Sequence, residues 1–127
     1  MRTQINYANG VSMFFTYDQS NRLTRVLGKK PASGTVLTDF VYSWTNASGQ
    51  DRGVRQSVTD KDGSKTSYTY DSLNRLTLAQ ERSSTNVLLN SYAYSYDANS
   101  NRSGQTVNGV STSYSHNAAD RLTTAAP

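Results

Sequence analysis

Apolar and polar residues alternate with a period of two along most of this 127-residue chain, the spacing at which successive side chains point to opposite faces of a strand. Val11, Met13, Phe15 and Tyr17 fall on one face, and Ser12, Phe14 and Thr16 on the other. The alternation returns in Val36, Thr38, Phe40, Tyr42 and Trp44, in Ser64 to Tyr70, in Leu88, Asn90, Tyr92, Tyr94 and Tyr96, and in Val110 to His116. Arg2 to Ala8, Arg22 to Leu27, Val54 to Thr59, Arg75 to Glu81, Ser103 to Val107 and Leu122 to Ala125 read as the strands between them. No useful window carries the i, i+3, i+4 spacing of an amphipathic helix. The pattern predicts an all-β meander of about ten antiparallel strands, twisted and curled because open sheets of that width seldom stay flat.

The turns punctuate this pattern. Asn9-Gly10 is suited to a two-residue hairpin turn with positive φ at both positions, and Asp62-Gly63 and Asn108-Gly109 mark further tight turns. Gly28 to Gly34 is a longer polar turn, and Thr45 to Gly53 is the widest irregular stretch. From Gly10, Gly34, Gly63, Asn86 and Gly109 to the next paired aromatic position the intervals are 7, 10, 7, 10 and 7 residues. Every second hairpin should therefore be longer than its neighbours.

Those aromatic positions belong to a repeat. Tyr68-Thr69-Tyr70-Asp71-Ser72-Leu73-Asn74-Arg75-Leu76 has a close copy in Phe15 to Leu23 and another beginning Tyr94-Ser95-Tyr96-Asp97, which reaches Asn101-Arg102 one residue late. A worn copy runs Tyr114 to Leu122, and a divergent one begins Tyr42-Ser43-Trp44-Thr45 and reaches Asp51-Arg52 still later. The second aromatics, Tyr17, Trp44, Tyr70, Tyr96 and His116, are 27, 26, 26 and 20 residues apart. A period of this size means small units that stack to bury their apolar faces, here within one domain over 1–127.

Each motif position has a physical use. Phe15 and Tyr17, Tyr42 and Trp44, Tyr68 and Tyr70, Tyr94 and Tyr96, and Tyr114 and His116 share one face, which Leu23, Val58, Leu76 and Leu78 are expected to meet from adjacent strands. Thr16, Ser43, Thr69, Ser95 and Ser115 make the opposite face small and polar. The carboxylates of Asp18, Asp71 and Asp97 are placed to accept backbone amides two or three residues on. Asn21, Asn74 and Asn101 suit a left-handed backbone, and Arg22, Arg75, Arg102 and Arg121 open the next strand, where a guanidinium can bond an Asp or a carbonyl of an adjacent repeat.

The pattern Tyr-x-Tyr-Asp-x-x-Asn-Arg-Leu resembles the YD repeat of Rhs proteins, insecticidal toxin-complex shells and teneurins, over essentially the whole chain. The family usually has Gly where this chain has Asn21 and Asn74. The resemblance implies a β-sheet strip that winds into a hollow shell, enclosing a C-terminal toxin cargo in full-length bacterial members or forming an adhesion barrel in teneurins. It further implies a secreted or cell-surface parent protein. Family shells are several times longer, and the Asp-Pro region of bacterial self-cleavage has no counterpart here. The chain is thus expected to be a five-repeat section of an array, pairing with further YD repeats or with another copy of itself as a homo-oligomer.

Composition narrows the remaining choices. Tyr supplies 9 of 13 aromatic residues, so the buried face keeps polar hydroxyls. A net charge of +4 is spread along the chain, with Lys29-Lys30 the one adjacent basic pair, which speaks against nucleic-acid binding. There is no cysteine, no apolar run long enough for a membrane span, and no signal-peptide pattern after Met1. His116 stands alone, Asp97-x-Asn99-x-Asn101 lacks the glycine and glutamate of a calcium loop, and Asp60 and Asp62 lie in a turn. No catalytic residue, metal ligand or cofactor is expected. A structural module is the primary expectation, and glycan or cell-surface binding by the aromatic face is the alternative.

Overall fold

The computed structural model describes all residues, Met1–Pro127. The fold is all-β: eleven antiparallel strands follow one another in the sheet in chain order, and there is no helix. The chain forms two compact units, Met1–Lys65 and Thr66–Pro127. The first holds β1 (Gln4–Asn6), β2 (Ser12–Tyr17), β3 (Leu23–Lys30), β4 (Thr35–Ser43) and β5 (Ser57–Thr59). β6 (Lys65–Tyr70), all but its first residue, opens the second, followed by β7 (Leu76–Arg82), β8 (Leu88–Tyr96), β9 (Arg102–Val107), β10 (Val110–His116) and β11 (Leu122–Ala126).

The expected alternation in hairpin length is present. β3 and β4 have 8 and 9 residues and β7 and β8 have 7 and 9, whereas β1 and β5 have 3. Each long hairpin also carries a bulge the alternation did not reveal. Thr38 pairs with Gly28 but Val36 with Lys29, so Leu37 is the extra residue; Asn90 pairs with Glu81 but Leu88 with Arg82, so Leu89 is its counterpart. An extra residue reverses the alternation beyond it. Val36 and Leu88 therefore leave the ring-bearing face on which their spacing had placed them.

In the first unit, the ring face contains the rows Phe15–Val26–Phe40, Tyr17–Leu23 and Tyr42–Val58. In the second, Ala79–Tyr92–Val107–Val110 and Tyr94–Gln105–Thr112 lie on one face, with Tyr114 opposite Ala125. Leu23 and Val58 meet rings as expected. Leu78 does not: it pairs with Ala93 on the other face, and Ala79 meets Tyr92.

Neither unit has a second layer packed on its sheet, because the contacting elements are neighbours in sequence. Burial is correspondingly slight. Ala79 is the one buried apolar side chain, at 8% exposure, and no large side chain is fully enclosed. Side chains on the ring face are half-buried while the intervening ones in β6 and along most of β10 are exposed. At Gly28, a Cβ would stand 2.6 Å from Thr38 Oγ1 and 2.8 Å from Met13 Sδ, so glycine lets these two side chains close over the strand. Cohesion must come largely from ladder hydrogen bonds and from polar contacts at the strand ends.

Candidate functional site

The motif builds one turn five times. Asp18 N–H donates to Arg22 O at 3.0 Å, and the same closure joins Asn46 to Gln50 at 2.9 Å, Asp71 to Arg75 at 3.0 Å, Asp97 to Asn101 at 2.9 Å and Asn117 to Arg121 at 2.9 Å. In every case the first side chain accepts two backbone amides through one oxygen. Asp18 Oδ1 takes Ser20 and Arg22, Asn46 Oδ1 takes Ser48 and Gln50, Asp71 Oδ1 takes Leu73 and Arg75, Asp97 Oδ1 takes Asn99 and Asn101, and Asn117 Oδ1 takes Ala119 and Arg121, all at 2.9–3.1 Å. The amides lie two and four residues on, not two and three. The intervening residue is left-handed throughout: Asn21 (φ 62°), Gly49 (φ 75°), Asn74 (φ 59°), Ser100 (φ 69°) and Asp120 (φ 57°).

These turns correct the sequence alignment in two places. Ser100, not Asn101, is left-handed, and Asn101 occupies the place of Arg22 and Arg75; Arg102 lies one residue beyond, at the start of β9. Asn46 and Gly49 form the turn of the second repeat, not the Asp51-Arg52 pair that the motif pattern points to. The signal for Asn46 was the Asx-x-x-Gly spacing. Asn9-Gly10 also behaves differently from expectation: only Gly10 has positive φ, and Tyr7 N–H closes on Val11 O, a three-residue loop. Asn108-Gly109, with φ 49° and 88°, is the two-residue turn.

Arg22 and Arg75, leaving the first and third of these turns, clamp the mouths of the two long hairpins. Arg22 lies over the Trp44 ring at 5.0 Å, while Trp44 Nε1–H donates to the carbonyl of Leu23, the residue after that arginine, at 3.0 Å. Arg75 lies over Tyr96 at 4.8 Å, and Tyr96 Oη–H donates to Leu76 O at 2.7 Å. Both guanidiniums bond their own turn carboxylate, at 2.8 Å from Arg22 Nε to Asp18 and 2.7 Å from Arg75 Nε to Asp71. They then reach oxygens after the ring they cover. Arg22 forms a fork to Asp51 at 2.8 and 2.6 Å, and Arg75 donates to Asp97 O at 3.3 Å and Ser100 Oγ at 3.0 Å.

The charges respond accordingly. Arg22 hydrogen bonds, followed by the Gly53 amide, hold the Asp51 carboxyl at about 2, below the ordinary 3.8. The Arg22 and Arg75 amides, ahead of the guanidiniums, lower Asp18 and Asp71, and Asp51 ahead of Asp18 raises Arg22. In the last complete hairpin the parts differ. Asn101 Nδ2 and Asn99 Nδ2 donate to Asp120 at 2.8 and 3.0 Å, and His116 holds the ring position at the end of β10.

The remaining motif rings are spread along the same rows. Tyr42 lies under Arg55 at 4.5 Å and Tyr94 under Arg102 at 4.6 Å. Tyr17 Oη–H donates to Arg2 O at 3.0 Å. Phe15 meets Val26, while Tyr68 and Tyr70 are half-buried in β6. Arg121 leaves its turn exposed.

Other chemistry is sparse. No group of three His, Cys, Asp or Glu side chains gathers as a metal site. A groove of about 370 Å³ over Gly104 is lined by hydroxyls, including Ser95, Ser103, Thr106 and Ser111, several bonded to one another. It offers hydrogen bonding and no charge. No helix is long and apolar enough to cross a membrane.

Comparison with known proteins agrees with this picture. Residues 51–85 match the family model for the RHS repeat. No curated protein matches the chain. Among solved structures, a chain of the Photorhabdus luminescens Tc holotoxin pore, in a form mutated in TccC3, aligns over 94% of this chain with TM-score 0.74 and 19% identity. A chain of TcdB2-TccC3-Cdc42 aligns over 94% with TM-score 0.74 and 20% identity, and one of TcdB2-TccC3-TEV over 89% with TM-score 0.68 and 19% identity. At these identities the likeness is one of fold, and the chain spans 7% of the length of each matched chain. The chain thus resembles the RHS repeat over residues 51–85 and shares its all-β meander with the matched Tc-toxin chains, which bears out the resemblance to YD and Rhs repeat proteins in its motif.

Proposed function

We propose that the chain is one repeat domain and a structural section of a β-sheet wall, without catalytic activity, belonging to a secreted or cell-surface toxin whose C-terminal cargo the full wall encloses. The recurring clamp carries this reading. Chemically capable groups are turned on the protein itself: carboxylates hold turns, guanidiniums cover rings, and ring hydroxyl and indole donors satisfy strand-end carbonyls. Arg22, Arg25 and Arg75 are paired with acids and Arg102 covers Tyr94, which also disfavours a nucleic-acid partner. The same arrangement weighs against the glycan alternative, because Tyr42, Trp44, Tyr94 and Tyr96 each have a guanidinium over the face a sugar would stack on.

Limited proteolysis of the full-length parent tests enclosure. A cargo that stays intact until the repeat wall is cut supports it, and a cargo degraded at the rate of the isolated cargo domain overturns it. Self-association of this chain is a separate part of the proposal, resting on open sheet edges. Sedimentation at tens of micromolar is expected to show species larger than a monomer; a single monomer boundary refutes that part.

A further inference from the structure

The row Ile5–Met13–Gly28–Thr38 crosses the ring face of the first unit, two residues along from Phe15–Val26–Phe40. It contains the one buried side-chain polar atom without a hydrogen-bond partner, Thr38 Oγ1. A hydroxyl left unmet in such a place costs stability, and a new acceptor beside it would recover that cost. The neighbour that can become one is Met13. The position a Cβ would take on Gly28 is 2.6 Å from Thr38 Oγ1 and 2.8 Å from Met13 Sδ, so hydroxyl and thioether look into one small space over a bare α-carbon. As it stands the thioether is only a weak acceptor. We propose that Met13 is a modification site: a peroxide oxidises its thioether to the sulfoxide, and the new oxygen accepts the hydrogen bond of the Thr38 hydroxyl.

Met13 is half-buried, so its side chain is within reach of a small solute, and a methionine turns easily about its three rotatable bonds to bring the added oxygen inward. With hydrogen peroxide the step balances. The sulfur lone pair attacks one peroxide oxygen, the S–O bond forms as the O–O bond breaks, and sulfur gives up two electrons. The transferred oxygen loses its proton to the departing hydroxide, which leaves as water. A sulfoxide among apolar side chains ordinarily loosens the packing around it. Here a donor is already waiting, and Gly28 supplies the room. The inference goes beyond the wall reading and holds whatever the sheet encloses.

Its test treats the full chain with hydrogen peroxide, follows Met1 and Met13 by peptide mass, and melts each form; Met1, at 70% exposure, is the internal reference. Met13 should gain one oxygen in the folded chain, and the melting temperature should stay within about 2 °C of the untreated value. Thr38→Val should leave the untreated chain as stable or more so, because it removes an unmet hydroxyl. Once oxidised, that variant should melt about 4 °C or more below its untreated form. Thr38→Ser, which keeps the hydroxyl, should behave as the parent, and Met13→Leu should be indifferent to peroxide. An equal response in the parent and Thr38→Val, whether both fall or neither does, overturns the hydrogen bond and the proposal with it. A parent chain that itself melts about 4 °C or more lower after oxidation does the same, whether or not the valine variant folds. A Met13 that stays reduced at a dose converting Met1 overturns the modification site.

Discussion

Asn74 holds φ at 59°, where a Cβ carries a steric cost that glycine escapes and that asparagine bears better than most residues. Asn74→Gly should therefore be tolerated, and Asn74→Ala should cost about 1 kcal/mol in urea unfolding. This conformation was legible for Asn21 and Asn74 because their residue type favours it. It was not legible for Ser100 or Asp120, where the Asx oxygen and the loop closure three residues earlier impose the geometry whatever the side chain. Arg22 gives a pH signature. Asp18 and Asp51 have depressed pKa values, so their stabilising contribution is present above the unfolded value of 3.8 and is lost as pH falls toward about 2. Melting temperature should drop between about pH 5 and pH 2, and Arg22→Gln should lower the plateau and flatten the drop; equal slopes for both proteins would contradict the assignment.

At the hairpin mouth, the β9–β10 junction departs from the two long hairpins for a reason of charge. Arginine over an imidazole would face repulsion whenever the ring is protonated, and here both partners differ together, Asn101 for arginine and His116 for tyrosine. Asn101→Arg with His116→Tyr should stabilise the chain more than the two single changes summed, a coupling that a double-mutant cycle in thermal unfolding measures. The strands and their ring face could be read from alternation because a period of two is a local property. The bulges at Leu37 and Leu89 could not, since an extra aliphatic residue inside an aliphatic run leaves no mark on it. Leu78 was misplaced for a related reason: its facing partner is fixed by register across the hairpin, which the sequence of one strand does not contain.

For the molecule as a whole, the want of an interior changes what stability means. With Ala79 the one buried apolar side chain, no cluster exists whose exposure must wait for complete unfolding, and repeats of this kind draw their stability from neighbour contacts. Native-state hydrogen exchange should be slower in the long strands β3, β4, β7 and β8, which have a strand on either side, and fastest in the edge strands β1 and β11, grading without a sharply protected centre. The family resemblance was visible because the turn motif is written out in consecutive residues. The arginine clamp was only half visible, since Asp51 lies 29 residues from Arg22 and Ser100 lies 25 residues from Arg75. A last consequence follows from the reversal of side at Leu37 and Leu89. Within each long hairpin the aliphatics of the tip back onto the hydroxyl-bearing surface while the stacked rings look the other way, so a molecule gripping Val36 or Leu88 can take hold from behind without disturbing the arginines in front.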